Sequence, residues 1–83
     1  MEVALGQKFV GELAKNAPST FAGEAVVNVQ TMDGTKLMFK DESWILFRQS
    51  GTEPMLRIYA EATSVPKMQQ LLEFGTQQAH SKL

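Results

Sequence analysis

Glu24-Ala25-Val26-Val27-Asn28-Val29-Gln30-Thr31-Met32-Asp33-Gly34-Thr35-Lys36-Leu37-Met38-Phe39-Lys40 is the stretch whose pattern decides the fold. Ala25, Val27, Val29 and Thr31 alternate with Glu24, Asn28 and Gln30, and this two-residue repeat predicts a half-buried strand. Asp33 and Gly34 tolerate the positive φ angles of a two-residue hairpin loop, so the chain should reverse there. Leu37 and Phe39 alternate with Lys36 and Lys40, which predicts a return strand with one wet face. Asp41, Glu42 and Ser43 supply the polar residues of the next turn.

Upstream, the period changes. Val3, Phe9, Val10, Leu13, Ala14 and Ala17 fall three, four and seven apart, one stripe of an amphipathic helix that Asn16 and Pro18 should end. Downstream, Trp44 to Phe47 is apolar on both faces, as suits a central strand covered on both sides or placed against another domain. Beyond a loop from Arg48 to Pro54, Leu56, Ile58, Ala60 and Ala62 point one way and Arg57, Tyr59 and Glu61 the other, a fourth strand with a polar side. Ser64 can cap a last helix with Pro66 in its first turn and a stripe of Val65, Met68, Leu71, Leu72, Gly75 and Ala79. The order predicts an α+β layer pair, a four-stranded antiparallel sheet with both helices packed on one face. There is no internal repeat, low-complexity segment or linker.

With 83 residues the chain has room for a single core, and its hydrophobic fraction of 43% against 20% charged residues is that of a folded globular domain. Eight Lys and Arg against nine Asp and Glu give a net charge of −1, so there is no broad cationic field for nucleic acid or anionic lipid. Any anion site must be local. The absence of cysteine excludes a disulfide scaffold, a thiolate zinc site and a cysteine nucleophile. No apolar run is long enough to span a membrane, and Val3 to Leu5 is too short for the core of a signal peptide. The expected setting is the cytoplasm.

Arg48-Gln49-Ser50-Gly51-Thr52-Glu53-Pro54 is the one segment whose composition exceeds what a turn requires. Gly51 allows close backbone approach, Ser50 and Thr52 carry hydroxyl donors, and consecutive amide hydrogens in such a turn converge into an anion-binding nest. Arg48 and Arg57 are the only arginines of the chain, and antiparallel pairing of their strands brings both toward this loop. Guanidinium groups grip phosphate oxygens in bidentate fashion. The plainer alternative is an ordinary connecting loop with solvated arginines, and composition alone leaves it open. The loop is not a P-loop, because it lacks the Gly-Lys-Ser/Thr ending and does not open a helix.

The run from Ser43 to Ala62, with Arg48-Gln49-Ser50-Gly51-Thr52-Glu53-Pro54 followed by Met55-Leu56-Arg57, resembles the C-terminal domain signature of the α-D-phosphohexomutases, the phosphoglucomutase and phosphomannomutase family. The lead-in Ser43-Trp44-Ile45 and the ending Tyr59-Ala60-Glu61 look more like those members than like the glucosamine branch. The resemblance implies a fold similar to the TATA-binding-protein type and a loop that holds the phosphate that is not being transferred. Residues 1–83 would then be the substrate-phosphate-binding domain of a longer enzyme. By position, Arg48, Ser50, Thr52 and Arg57 would be its side-chain ligands, Gly51 would offer its backbone amide, and Glu53 and Pro54 would shape the loop. The family's phosphoserine nucleophile, its aspartate-bound Mg2+ and its sugar-selecting loop belong to other domains, so this segment is expected to hold no catalytic residue and no metal, and to be inactive alone. The implied partners are glucose or mannose phosphates, their bisphosphate intermediate and the other domains of the same chain, with no nucleic acid and no membrane. A stand-alone phosphate- or nucleotide-binding module and a nucleic-acid-binding domain are the rival readings.

Other residues invite a function and read more simply as structure. Trp44 suits core or interdomain packing. His80 falls in the last turn of a helix, where it faces free carbonyls. Asp33, Asp41 and Glu42 stand where turns want them rather than as a metal cluster. Tyr59 shares a face with Arg57 and either lines a cleft or buttresses that arginine.

Overall fold

The computed structural model describes residues 3–32, 34–49 and 56–81. Two helices frame five strands: α1 (Val3–Lys15), β1 (Thr20–Phe21), β2 (Glu24–Gln30), β3 (Thr35–Phe39), β4 (Trp44–Gln49), β5 (Leu56–Glu61) and α2 (Val65–Ser81). The strands form one antiparallel sheet in the order β1-β2-β3-β4-β5. The protein is therefore α+β, as its sequence pattern predicts, with five strands where four are expected. Its central strand is β3, and β4 lies between β3 and β5.

The additional strand is short and carries weight. Thr20 pairs with Ala25 and Phe21 with Glu24, joined across Ala22 and Gly23, whose φ angles of 52° and 80° are both positive. That is the pattern of the tight hairpin turn whose twist matches its flanking strands. An alanine at positive φ is uncommon, so nothing in the sequence announces this turn.

On β2 the expected alternation breaks. Val26 pairs with Phe39 and Asn28 with Met38, leaving Val27 as the extra residue of a bulge. The bulge moves Val27 to solvent, 59% exposed, and places Val26 and Val29 against the core. Of the expected alternating set Ala25, Val27, Val29 and Thr31, Val29 faces the core while the other three are exposed, because the inserted residue shifts the period by one side chain. On β3 the alternation holds, with Thr35, Leu37 and Phe39 buried.

Gly34 precedes β3 at φ 101°, and a Cβ there would fall 2.3 Å from the Phe47 carbonyl oxygen. Only glycine lets β3 start this close to β4. Asp33, its expected turn partner, lies outside the described residues, and so does the side chain of Val3. The next turn is a three-residue loop, Lys40-Asp41-Glu42, with Glu42 at φ 73°. Glu42 N–H donates to the Phe39 carbonyl (3.1 Å) and Phe39 N–H to the Ser43 carbonyl (2.8 Å).

Both helices cover the face that carries Thr35, Leu37, Phe39, Ile45 and Phe47, α1 lying over β3 and β4 and α2 over β4 and β5. All five phenylalanines meet there. Phe21 is the hub, with ring centroids 6.3 Å from Phe39, 6.0 Å from Phe47 and 4.8 Å from Phe74, and Phe9 meets Phe47 edge-on at 5.3 Å. The buried Thr35 hydroxyl donates to the Val10 carbonyl at 2.8 Å, tying β3 to α1. In α2 the stripe of Leu71, Gly75 and Ala79 is buried as expected. Val65 is not part of it, being 62% exposed, and Phe74 takes a place in the packing instead. Ser64 caps α2, its hydroxyl accepting from Lys67 N–H at 3.3 Å.

The end of the sheet near the β3–β4 turn is closed by charge. Lys67 of α2 pairs with Asp41 and, at 3.1 Å, with Glu24. Asp41 also accepts from the Ser43 hydroxyl and from Ser43 N–H at 3.0 Å. The Lys67 ammonium and these Ser43 donors hold the Asp41 carboxyl well below its ordinary 3.8, and Asp41 in turn raises the Lys67 ammonium above its ordinary 10.5.

Two outcomes are expected. Phe21→Ala, made in the strand that the sequence does not announce, should lower unfolding free energy by about 3–5 kcal/mol in chemical denaturation; a loss under about 1 kcal/mol would show that the hub is dispensable. A carboxyl depressed by folding stabilises above its unfolded value and stops doing so as pH falls through the folded one; the raised ammonium acts below 10.5 and is lost above it. The melting-temperature gap between the parent and Asp41→Asn should therefore be constant near neutrality and shrink below 3.8, a series of melts across pH being the check.

Candidate phosphate-facing end of the sheet

Strand pairing of β4 with β5 is continuous over six positions, from Trp44 opposite Glu61 to Gln49 opposite Leu56. Alternation sends Ile45, Phe47, Leu56 and Ile58 to the helices, and turns Trp44, Leu46, Arg48, Arg57, Tyr59 and Glu61 to the helix-free face. Arg48 and Arg57 are directly opposite one another, both exposed. They stand in the penultimate pair of the hairpin, next to the segment that joins the two strands. The expectation that antiparallel pairing gathers both arginines at one end of the sheet is met.

Like charges directly opposite in an antiparallel pair destabilise it, because the two Cα atoms are only about 4.5–5.5 Å apart. An anion between or above the guanidinium groups would reverse the sign of that interaction. The chain entering from α1 adds to the same end. Gly6 is buried against the Gln49 side chain, so close that a Cβ there would overlap the Gln49 amide oxygen. The N-terminal part of α1 consequently packs on the end of β4, on the face opposite the arginine side chains. Between α1 and this end of the sheet opens a cleft of about 490 Å³, with Gln7 and Gly11 on one wall and Thr35, Arg48 and Gln49 on the other.

Ser50, Gly51, Thr52, Glu53 and Pro54 lie outside the described residues, so of the five expected phosphate ligands the structure locates Arg48 and Arg57. Trp44 is half-buried on the helix-free face, and Lys36 stands over its ring at 4.4 Å from the centroid. Asp41 belongs to the Lys67 pairing and His80 is exposed in the last turn of α2. Among the described residues there is no group of three or more His, Asp or Glu side chains placed to hold a metal ion. No helix among those residues is long and apolar enough to cross a membrane. Thr35 and Gln49 are the residues of this end that sequence reasoning overlooked. Their inward positions follow from alternation with Leu37 and with Phe47.

Residues 8–75 match the model of the family "Phosphoglucomutase/phosphomannomutase, C-terminal domain", and the chain belongs to that family. It is 51% identical over 47 residues to a phosphoglucomutase/phosphomannomutase of Thermococcus kodakarensis, covering 57% of this chain and 10% of that protein. It is 41% identical over 69 residues to a probable phosphoglucosamine mutase of Pyrococcus abyssi, covering 83% of this chain and 14% of the relative. A phosphopentomutase of Thermococcus kodakarensis shares 42% over 50 residues, 60% of this chain and 11% of its own length. The chain thus spans about a tenth to a seventh of these relatives.

The opposed arginines generate an expectation of their own. Without ligand, Arg57→Gln should raise stability by about 0.2–1 kcal/mol in low salt, by removing a like-charge pair. The gain should fade as salt is added. Equal stability of both proteins at all salt concentrations would show that the charges do not interact.

Proposed function

We propose that residues 1–83 form the substrate-phosphate-anchoring domain of a longer phosphohexomutase of the phosphoglucomutase/phosphomannomutase kind, with a sheet-and-helix arrangement of the TATA-binding-protein type. The observation that carries this reading is the Arg48–Arg57 pairing at the end of β4 and β5. Two arginines directly opposite one another on neighbouring strands suit a phosphate monoester, which accepts several charge-assisted hydrogen bonds at once. Ser50, Gly51 and Thr52, in the segment between those strands, complete the proposed site as side-chain and backbone donors.

In this reading the domain does no bond breaking. It grips the phosphate that stays in place while another domain's phosphoserine exchanges a phosphoryl group with the sugar, and the bisphosphate intermediate then turns end for end. Binding energy from the non-reacting phosphate orients the hydroxyl that reacts, so weakening the grip lowers rate as well as affinity. Mg2+ would supply charge neutralisation at the transferring phosphoryl group from another domain. The relatives' names cover hexose, amino-hexose and pentose phosphates. A domain that holds what those substrates share, the phosphate, is compatible with all of them, and we favour glucose or mannose phosphate from the motif's flanks.

The test is substitution in the full-length mutase that carries this domain. Arg48→Ala or Arg57→Ala should weaken phosphosugar binding by roughly 1.5–3 kcal/mol per lost contact, with the domain still folded by circular dichroism. Arg→Lys should restore only part, because a point charge does not reproduce the planar fork. Unchanged kinetics in both alanine variants would return the segment to the status of a connecting loop.

A further inference from the structure

Next to the arginine pair on the helix-free face lies a pair of different chemistry. Leu46 is directly opposite Tyr59, two residues from Arg48 along β4 and two from Arg57 along β5. All four side chains emerge from the same face, since residues two apart on a strand do so. At a rise of about 3.4 Å per residue the two rows are roughly 7 Å apart. That is comparable to the reach from a phosphate ester to the ring that carries it. Tyr59 is 40% exposed, unusual company for two arginines if it served only the core, and no helix covers this face among the described residues. Leu46 is half-buried and forms the floor beside it.

We propose that Tyr59 is a substrate-contacting residue, a platform on which the sugar ring lies once its phosphate is held by Arg48 and Arg57. The inference rests on the phosphate-anchoring reading and extends it from the phosphate to the ring. The aromatic face takes the C–H-bearing face of a pyranose, and the phenolic hydroxyl, exposed at the edge of the platform, donates to or accepts from a ring hydroxyl. Contact of this kind orients the ring without reading which hydroxyl is axial. Sugar preference is left to other parts of the enzyme, and the platform fits phosphosugars of several kinds.

Tyr59 is the only tyrosine of the chain, so 3-fluorotyrosine labelling of the full-length mutase, with its other tyrosine resonances assigned by single Tyr→Phe replacements, yields one identifiable 19F signal for it. Glucose 6-phosphate should shift that signal, and inorganic phosphate at saturation should shift it several-fold less. In kinetics with glucose 1-phosphate, Tyr59→Ala should lower kcat about tenfold, Tyr59→Phe should retain most of the rate, and Ki for inorganic phosphate should stay at the parent value in both. Loss of phosphate inhibition on Arg48→Ala together with an unmoved Tyr59 signal and parental kcat in Tyr59→Ala would overturn the platform and leave the phosphate anchor standing. Phosphate inhibition indifferent to Arg48→Ala would overturn both. Rates that fall alike in Tyr59→Ala and Tyr59→Phe, with no 19F shift on adding glucose 6-phosphate, would also overturn it.

Discussion

Phe21 holds this small domain together. It sits on a two-residue strand yet touches Phe39 on β3, Phe47 on β4 and Phe74 on α2, so one side chain joins the sheet's short edge to its centre and to the helix layer. Aromatic pairs in edge-to-face contact add about 0.5–1.5 kcal/mol beyond the area they bury. In a chain of 83 residues, where a single core must carry the whole of the stability, that concentration matters. The strands that present Arg48 and Arg57 are held from behind by the same ring system, because Phe47 is both the neighbour of Arg48 in sequence and a partner of Phe9 and Phe21.

What could be read in the sequence was whatever depends on local pattern. The β3 alternation, the glycine at its start, the Ser64 cap and the opposition of the two arginines all follow from period and turn chemistry, and the structure contains each. What escaped depends on tertiary contacts or on a count that slips by one. Strand β1 exists because Phe21 has a core to enter, and its turn uses an alanine where pattern rules ask for Gly, Asn or Asp. The bulge at Val27 hides inside an otherwise regular alternation. Phe74 falls between two predicted stripe positions, and only the presence of Phe21 shows why it turns inward. The fold class was therefore legible and its edge was not. For the site, the arginines were legible by position, and the inward places of Thr35 and Gln49 follow from the same alternation, but their packing against α1 is a tertiary contact that no local pattern announces.

The arginine pair sets a proposed role against a local preference. A strand pair optimised for stability would set a carboxylate opposite Arg48; this one sets a second cation. Natural domains accept such local losses at functional sites and compensate elsewhere with packing. Here the compensation is close at hand, in the rings directly behind the pair.

The two ends of the sheet are unlike in their charge. At the β3–β4 turn the Lys67 ammonium is met by the carboxylates of Glu24 and Asp41, so opposite charges are paired there. At the other end two guanidinium groups are exposed together. The contrast is one of pairing rather than of total charge, since the whole chain carries only −1. Added salt should therefore act on the two ends in opposite directions, loosening the paired one and relieving the like-charged one.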